Sequence, residues 1–146
     1  MWNHKTLTGV LVVMVLTGYG VRQANAQTSD FERRREAAPC TLELEPINDD
    51  GTLRKTTRLV DLESQHGAAP TDAAITRDLV NELFMLADFM MYCSKAVPKL
   101  KYPLAHCLYK RVLELDKENK LARESVETIE SIYDSMGKPR PSSECP

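Results

Sequence analysis

Leu83-Phe84-Met85-Leu86-Ala87-Asp88-Phe89-Met90-Met91-Tyr92 is the stretch that decides the fold of this chain, because only Asp88 in it carries charge. Upstream, Ile75 and Leu79 lie at helical spacing from Leu83 and Leu86. A helix that is apolar on all sides must be covered on more than one side. The sequence therefore predicts a long first helix over residues 71–97, buried in a small helical core. Thr71 is its expected N-cap, and Asp72 places negative charge at the positive end of the helix dipole.

Two further helices follow. Pro98 and Pro103 bracket a short connection, and Leu104, Ala105, Leu108, Tyr109, Val112 and Leu113 then mark a second helix over residues 102–116. After the polar turn Lys117-Glu118-Asn119, a third helix over 120–136 carries Leu121, Ala122, Val126, Ile129, Ile132 and Tyr133. Gly137 suits the left-handed residue that ends a helix, and Pro139 prevents a restart. Short links between successive helices favour antiparallel neighbours. The expected fold is mainly α: a three-helix domain over residues 71–137 and a flexible tail over 138–146.

Residues 40–70 read differently. Thr41-Leu42-Glu43-Leu44-Glu45 alternates apolar and polar, as a strand with one buried face does. Asn48-Asp49-Asp50-Gly51 is a turn signal, and Arg58-Leu59-Val60-Asp61-Leu62 suits a returning strand. The expectation is an extended segment or a small β-hairpin, followed by a linker over residues 65–70 that holds Gly67 and Pro70.

Within the helices, residues 86–122 resemble a tetratricopeptide repeat, a hairpin of two helices marked by W-x-x-L-G-x-x-Y and then A-x-x-x-F before a proline. Phe89, Tyr92, Cys93 and Ala96 fall on the first set, and Ala105 and Tyr109 on the second. Tyr102 precedes Ala105 by three residues, and residues 113–119 look like the turn that closes a repeat. Cys93 stands where the family has Gly or Ala, and Lys117 where proline is usual. The resemblance implies that small Cys93 and Ala105 let two helix axes approach, and that the third helix caps the open face. It also implies a surface for peptides or partner proteins, lined by Ala87, Met90 and Ser94 of the first helix and Leu121, Glu124 and Thr128 of the third.

The amino-terminal end speaks to location. Lys5 precedes an apolar core, Val10-Leu11-Val12-Val13-Met14-Val15-Leu16, and Ala24-Asn25-Ala26 offers the small residues that signal peptidase accepts. A span of the hydrocarbon core needs about 20 apolar residues, more than this run supplies. Residues 1–26 therefore read as a cleavable secretory signal, residues 27–39 as a flexible arm, and the mature protein as periplasmic or secreted, with no membrane attachment after cleavage. The leader holds two of the 19 basic residues and none of the 21 acidic ones, so the mature chain carries a net charge of −4. With no basic stripe, nucleic acid is not an expected partner.

Cys40, Cys93, Cys107 and Cys145 all lie beyond the leader. An even count in an exported chain favours two structural disulfides. Three connectivities are open. If the third helix returns to the start of the second, the residues after Gly137 reach Cys107. That favours Cys107–Cys145 and leaves Cys40–Cys93, with Cys93–Cys107 as the main rival. No C-x-x-C pair, nucleophile motif or glycine-rich phosphate loop is present in the sequence. His106 and Cys107 are adjacent, but adjacent helical side chains diverge by about 100°, so a surface histidine beside half a disulfide is expected. No catalytic, cofactor or metal site is expected. The function classes that remain are an exported helical protein–protein interaction or scaffold module, and a disulfide-stabilised structural or assembly subunit with no peptide-binding groove.

Overall fold

A computed structural model describes Glu36, Cys40, residues 45–142, Glu144 and Cys145. The signal over residues 1–26, nearly all of the arm over 27–39 and most of the strand expected at 41–45 lie outside the described residues. Within them the chain is mainly helical, with α1 (Thr57–Ala68), α2 (Ala73–Asp88), α3 (Pro98–Leu115) and α4 (Lys120–Ser135). A π-helical turn, Phe89–Cys93, prolongs α2. Helix α1 packs on α2, α2 on α3, and α3 on α4.

The returning strand expected at residues 58–62 is instead the body of α1. Leu59 and Leu62 are both buried, while Val60 between them is 49 % exposed. That is a helical rather than a two-residue period. The Thr56 hydroxyl starts the helix by accepting from the Leu59 amide at 3.1 Å. It also donates to the Glu82 carboxylate at 3.0 Å. The other oxygen of that buried carboxylate meets Arg58 Nε at 3.1 Å. One residue of α2 thus fixes where α1 begins. The helix runs on to Ala68, through most of the expected linker.

Before α1, the turn at Asn48–Gly51 is present, but among the described residues it is flanked by a single antiparallel bridge, Ile47 to Leu53, and by no strand. Gly51 has φ +87°, a conformation that favours glycine, and a Cβ there would lie 2.9 Å from Leu100 Cδ2. Asp50 Oδ1 accepts from the amide and hydroxyl of Thr52 at 2.9 and 2.7 Å. These bonds hold its carboxyl below the usual carboxylate range.

Asp72, not Thr71, caps α2. Its Oδ1 accepts from the Ala74 and Ile75 amides at 2.8 and 3.1 Å. The expected burial on more than one side is present: Leu83, Leu86, Ala87, Phe89, Met90 and Met91 are each at most 5 % exposed, while Phe84, Met85 and Tyr92 are half-buried. The helix stops at Cys93 rather than 97, where the Ser94 amide donates to the Phe89 carbonyl at 2.9 Å across the wider turn. Ser94 is already extended at φ −59°, ψ 134°, and Pro98 holds Val97 extended at φ −61°, ψ 146°, so the helix does not resume before Pro98.

Helix α3 starts earlier than expected because Pro98 suits the first helical position, where a missing N–H costs nothing. Pro103 lies inside the helix rather than in a connection. From Leu104 to Tyr109 six successive residues are buried, because α2, α4 and, at His106, the tail all pack against α3. Ala105 is fully buried. Ala105→Leu should overpack this position and cost about 1–3 kcal/mol. Thermal unfolding followed by circular dichroism checks it, and an unchanged midpoint would place Ala105 outside the tight helix contact.

Helix α4 is capped by Asn119, whose Oδ1 accepts from the Ala122 amide at 3.1 Å. It ends in a Schellman motif: the Gly137 amide bonds the Asp134 carbonyl, the Lys138 amide bonds the Tyr133 carbonyl, and Gly137 has φ +64°. The tail then folds back. Cys107 pairs with Cys145 and Cys40 with Cys93, with Cα separations of 5.2 and 5.3 Å. The pairing favoured by helix geometry is the one adopted.

Candidate functional site

The six residues of the expected partner groove are not brought together as one open surface. Ala87 and Met90 are fully buried and Ser94 is 6 % exposed, so a partner cannot reach them. The segment before α1 runs past this end of α2. Cys40 is bonded to Cys93, Glu45 Oε1 accepts from the Lys95 amide at 2.8 Å, and Ile47 joins the core. Leu121, Glu124 and Thr128 are exposed on α4. Their surroundings on that helix, Arg123, Glu127 and Ser131, form a solvated polar face.

An open cleft of about 370 Å³ lies elsewhere. Helix α1 contributes Glu63, His66 and Gly67, and α3 contributes Arg111, Glu114 and Leu115. Leu79 of α2 and Lys55 complete the lining. Leu79 and Leu115 are its apolar part. Glu63 joins the two walls: Oε2 meets Lys55 Nζ at 2.6 Å and Oε1 meets Arg111 Nη2 at 2.5 Å. Burial raises the Glu63 pKa, but the hydrogen bonds and charges of Lys55 and Arg111 together outweigh it and hold the carboxyl below its usual value.

Because its folded pKa is depressed, Glu63 contributes stability that is present above its unfolded pKa, near ~4.3, and is lost as pH falls through the folded value. Acidification below that point should therefore destabilise the wild type more than Glu63→Gln. Melting temperatures of the two proteins across the acid range check this, and parallel curves would contradict it.

No family model, curated protein or solved structure matches this chain. Its chemistry must therefore be read from its own residues.

His106 is not at the surface, contrary to expectation: it is 1 % exposed. Nδ1 lies 3.3 Å from the Ser142 carbonyl and Nε2 lies 3.0 Å from Glu130 Oε1. Glu130 also bonds Arg140 Nη1 at 2.7 Å, and Arg140 grips Asp134 with Nε and Nη2. That grip lowers the Asp134 pKa and raises that of Arg140. The histidine thus joins α3, α4 and the tail. Its neighbour Cys107 is committed to Cys145, and no described cysteine is free. Among the described residues, no group of three His, Cys, Asp or Glu side chains is arranged to hold a metal ion. Also among them, no helix is long and apolar enough to cross a membrane.

Sequence reasoning missed the cleft for a physical reason. Its central contact joins residues 48 positions apart. The sequence predicts no helix around Glu63, so nothing in it places Glu63 opposite Arg111.

Proposed function

We propose that this chain is an exported helical interaction module that engages a protein or peptide partner. In this reading residues 1–26 direct export to the periplasm or outside the cell, and two disulfides suit the oxidising compartment reached. The α2–α3 pair is an antiparallel hairpin of tetratricopeptide type, and α4 caps it. Cross-contacts support the hairpin: Tyr109 of α3 meets both Phe84 and Asp88 of α2.

The observation that carries the reading is the cleft between α1 and α3. It offers apolar side chains, cations and carboxylates between two helices. Such a mixed lining suits a polypeptide segment, which brings apolar side chains and backbone polar groups together. The test is affinity capture from the exported fraction with residues 27–146 as bait, beside an Arg111→Glu bait that reverses one wall. A stoichiometric protein captured by the first bait and lost from the second is expected. Equal capture by both would remove the cleft from the interaction.

The burial of Ala87, Met90 and Ser94 favours a second reading, a disulfide-stabilised structural or assembly subunit with no peptide groove. In that case the partner would contact the exposed α4 face, and Leu121→Glu rather than Arg111→Glu would abolish capture.

A further inference from the structure

The two disulfides differ in the property that governs thiol exchange, which is access of an incoming thiolate to sulfur. Cys40 is exposed and Cys93 half-buried. Cys107 is fully buried, and Cys145 sits half-buried in a tail that is also held through Ser142 and Arg140. We propose that Cys40–Cys93 is a reducible tether that fastens the segment before α1 to the π-turn of α2, while Cys107–Cys145 is an inert staple.

The redox partner is a dithiol, small or protein-borne. Its thiolate attacks Cys40 Sγ, the exposed sulfur. The Cys40–Cys93 bond breaks, and Cys93 leaves as a thiolate that takes up a proton. The second thiol of the dithiol then attacks the mixed disulfide and releases Cys40 as a thiol. The protein gains two electrons and two protons, and the dithiol ends as a disulfide.

Release has a local driving force. Glu45 follows Cys40 by five residues and is docked beside the π-turn, with Oε1 on the Lys95 amide. Its other carboxylate oxygen is buried with no hydrogen-bond partner among the described residues. A buried, unpaired carboxylate oxygen carries a desolvation penalty. The docked segment is therefore held against the preference of Glu45 for water, and the covalent bond supplies the restraint. Once it is cut, Glu45 is free to solvate, and the π-turn Phe89–Cys93 loses its covalent anchor. Ala87, Met90 and Ser94 lie at this end of the helix.

The test uses the oxidised protein and graded dithiothreitol. Samples are acid-quenched, alkylated and mapped by mass spectrometry, and amide exchange is measured on the same partially reduced protein. Cys40 and Cys93 should become alkylated at least about tenfold faster than Cys107 and Cys145, in line with their access. Exchange should rise in residues 45–47 and 89–95 and stay unchanged in α4. A Cys40→Ser, Cys93→Ser protein should show the same local rise with no reductant. Labelling of all four cysteines together, or of Cys107 first, would overturn the proposal. So would early labelling of Cys40 and Cys93 with no change in exchange around the π-turn.

Discussion

Loss of the Cys107–Cys145 disulfide in a Cys107→Ser, Cys145→Ser protein should destabilise the fold by about 4 kcal/mol. The bond closes a segment with a sequence separation of 38, and cutting it returns loop entropy to the unfolded chain. The remaining contacts cannot compensate. The ion pairs of Arg140 with Glu130 and Asp134 involve an exposed guanidinium, and solvent-screened pairs of that kind are weak. Removing the bond also frees the tail that covers His106, whose Nδ1 would lose the Ser142 carbonyl. For a domain of this size the midpoint should fall by roughly 15–30 °C. Thermal unfolding by circular dichroism or calorimetry checks it. A shift of a degree or two would show that the tail is an appendage rather than a staple.

The second large effect is expected at Tyr109. This side chain is fully buried at the α2–α3 contact. Its ring meets Phe84 edge-on at 5.6 Å between centroids, and its hydroxyl donates to Asp88 Oδ1 at 2.5 Å. Tyr109→Ala removes the ring and leaves a cavity between two helices, at a cost of about 3–5 kcal/mol. Tyr109→Phe keeps the ring and removes only a hydrogen bond to a carboxylate, worth about 1.5–3 kcal/mol. Chemical denaturation of both variants separates the two contributions. Equal losses would mean that the hydroxyl, not the ring, holds the helices together.

The parts of this fold that were legible in the sequence are those governed by local periodicity. Residues 83–92 announced a helix covered on more than one side, and the core provides that cover. Asn119 and Gly137 bound α4 near the expected places, because caps are set by a few neighbouring groups. The disulfide pairing was only partly legible: the return of the third helix favoured Cys107–Cys145 without closing off Cys93–Cys107, and the structure adopts the favoured pairs.

What escaped the sequence was set at a distance. Helix α1 starts where Thr56 and Arg58 find Glu82, a residue of α2, so no local pattern near Thr56 announced it. The spacing of Leu59 and Leu62 was the one available signal. Pro103 read as a helix boundary because proline usually is one, yet packing on both sides of α3 overrides the loss of one backbone bond. His106 read as exposed because histidine often is. The tail buries it, and the tail's course depends on Cys145 and Arg140. The groove residues carried over from the repeat resemblance met a segment that the resemblance does not include. Cys40, Glu45 and Ile47 meet the molecule around the end of α2, where Ala87, Met90 and Ser94 are closed to a partner.

Non-reducing peptide mapping tests the proposed export and the two disulfides together. The protein is recovered from the exported fraction, its free thiols are blocked, and it is digested with trypsin without reduction and mapped by mass spectrometry. Lys or Arg residues lie between every pair of cysteines, so each linkage gives its own peptide pair. The expected result is an amino-terminal peptide beginning at Gln27, linked peptides carrying Cys40–Cys93 and Cys107–Cys145, and no blocked thiol. A Cys93–Cys107 linked peptide, four blocked thiols, or Met1 retained on the exported protein would contradict it.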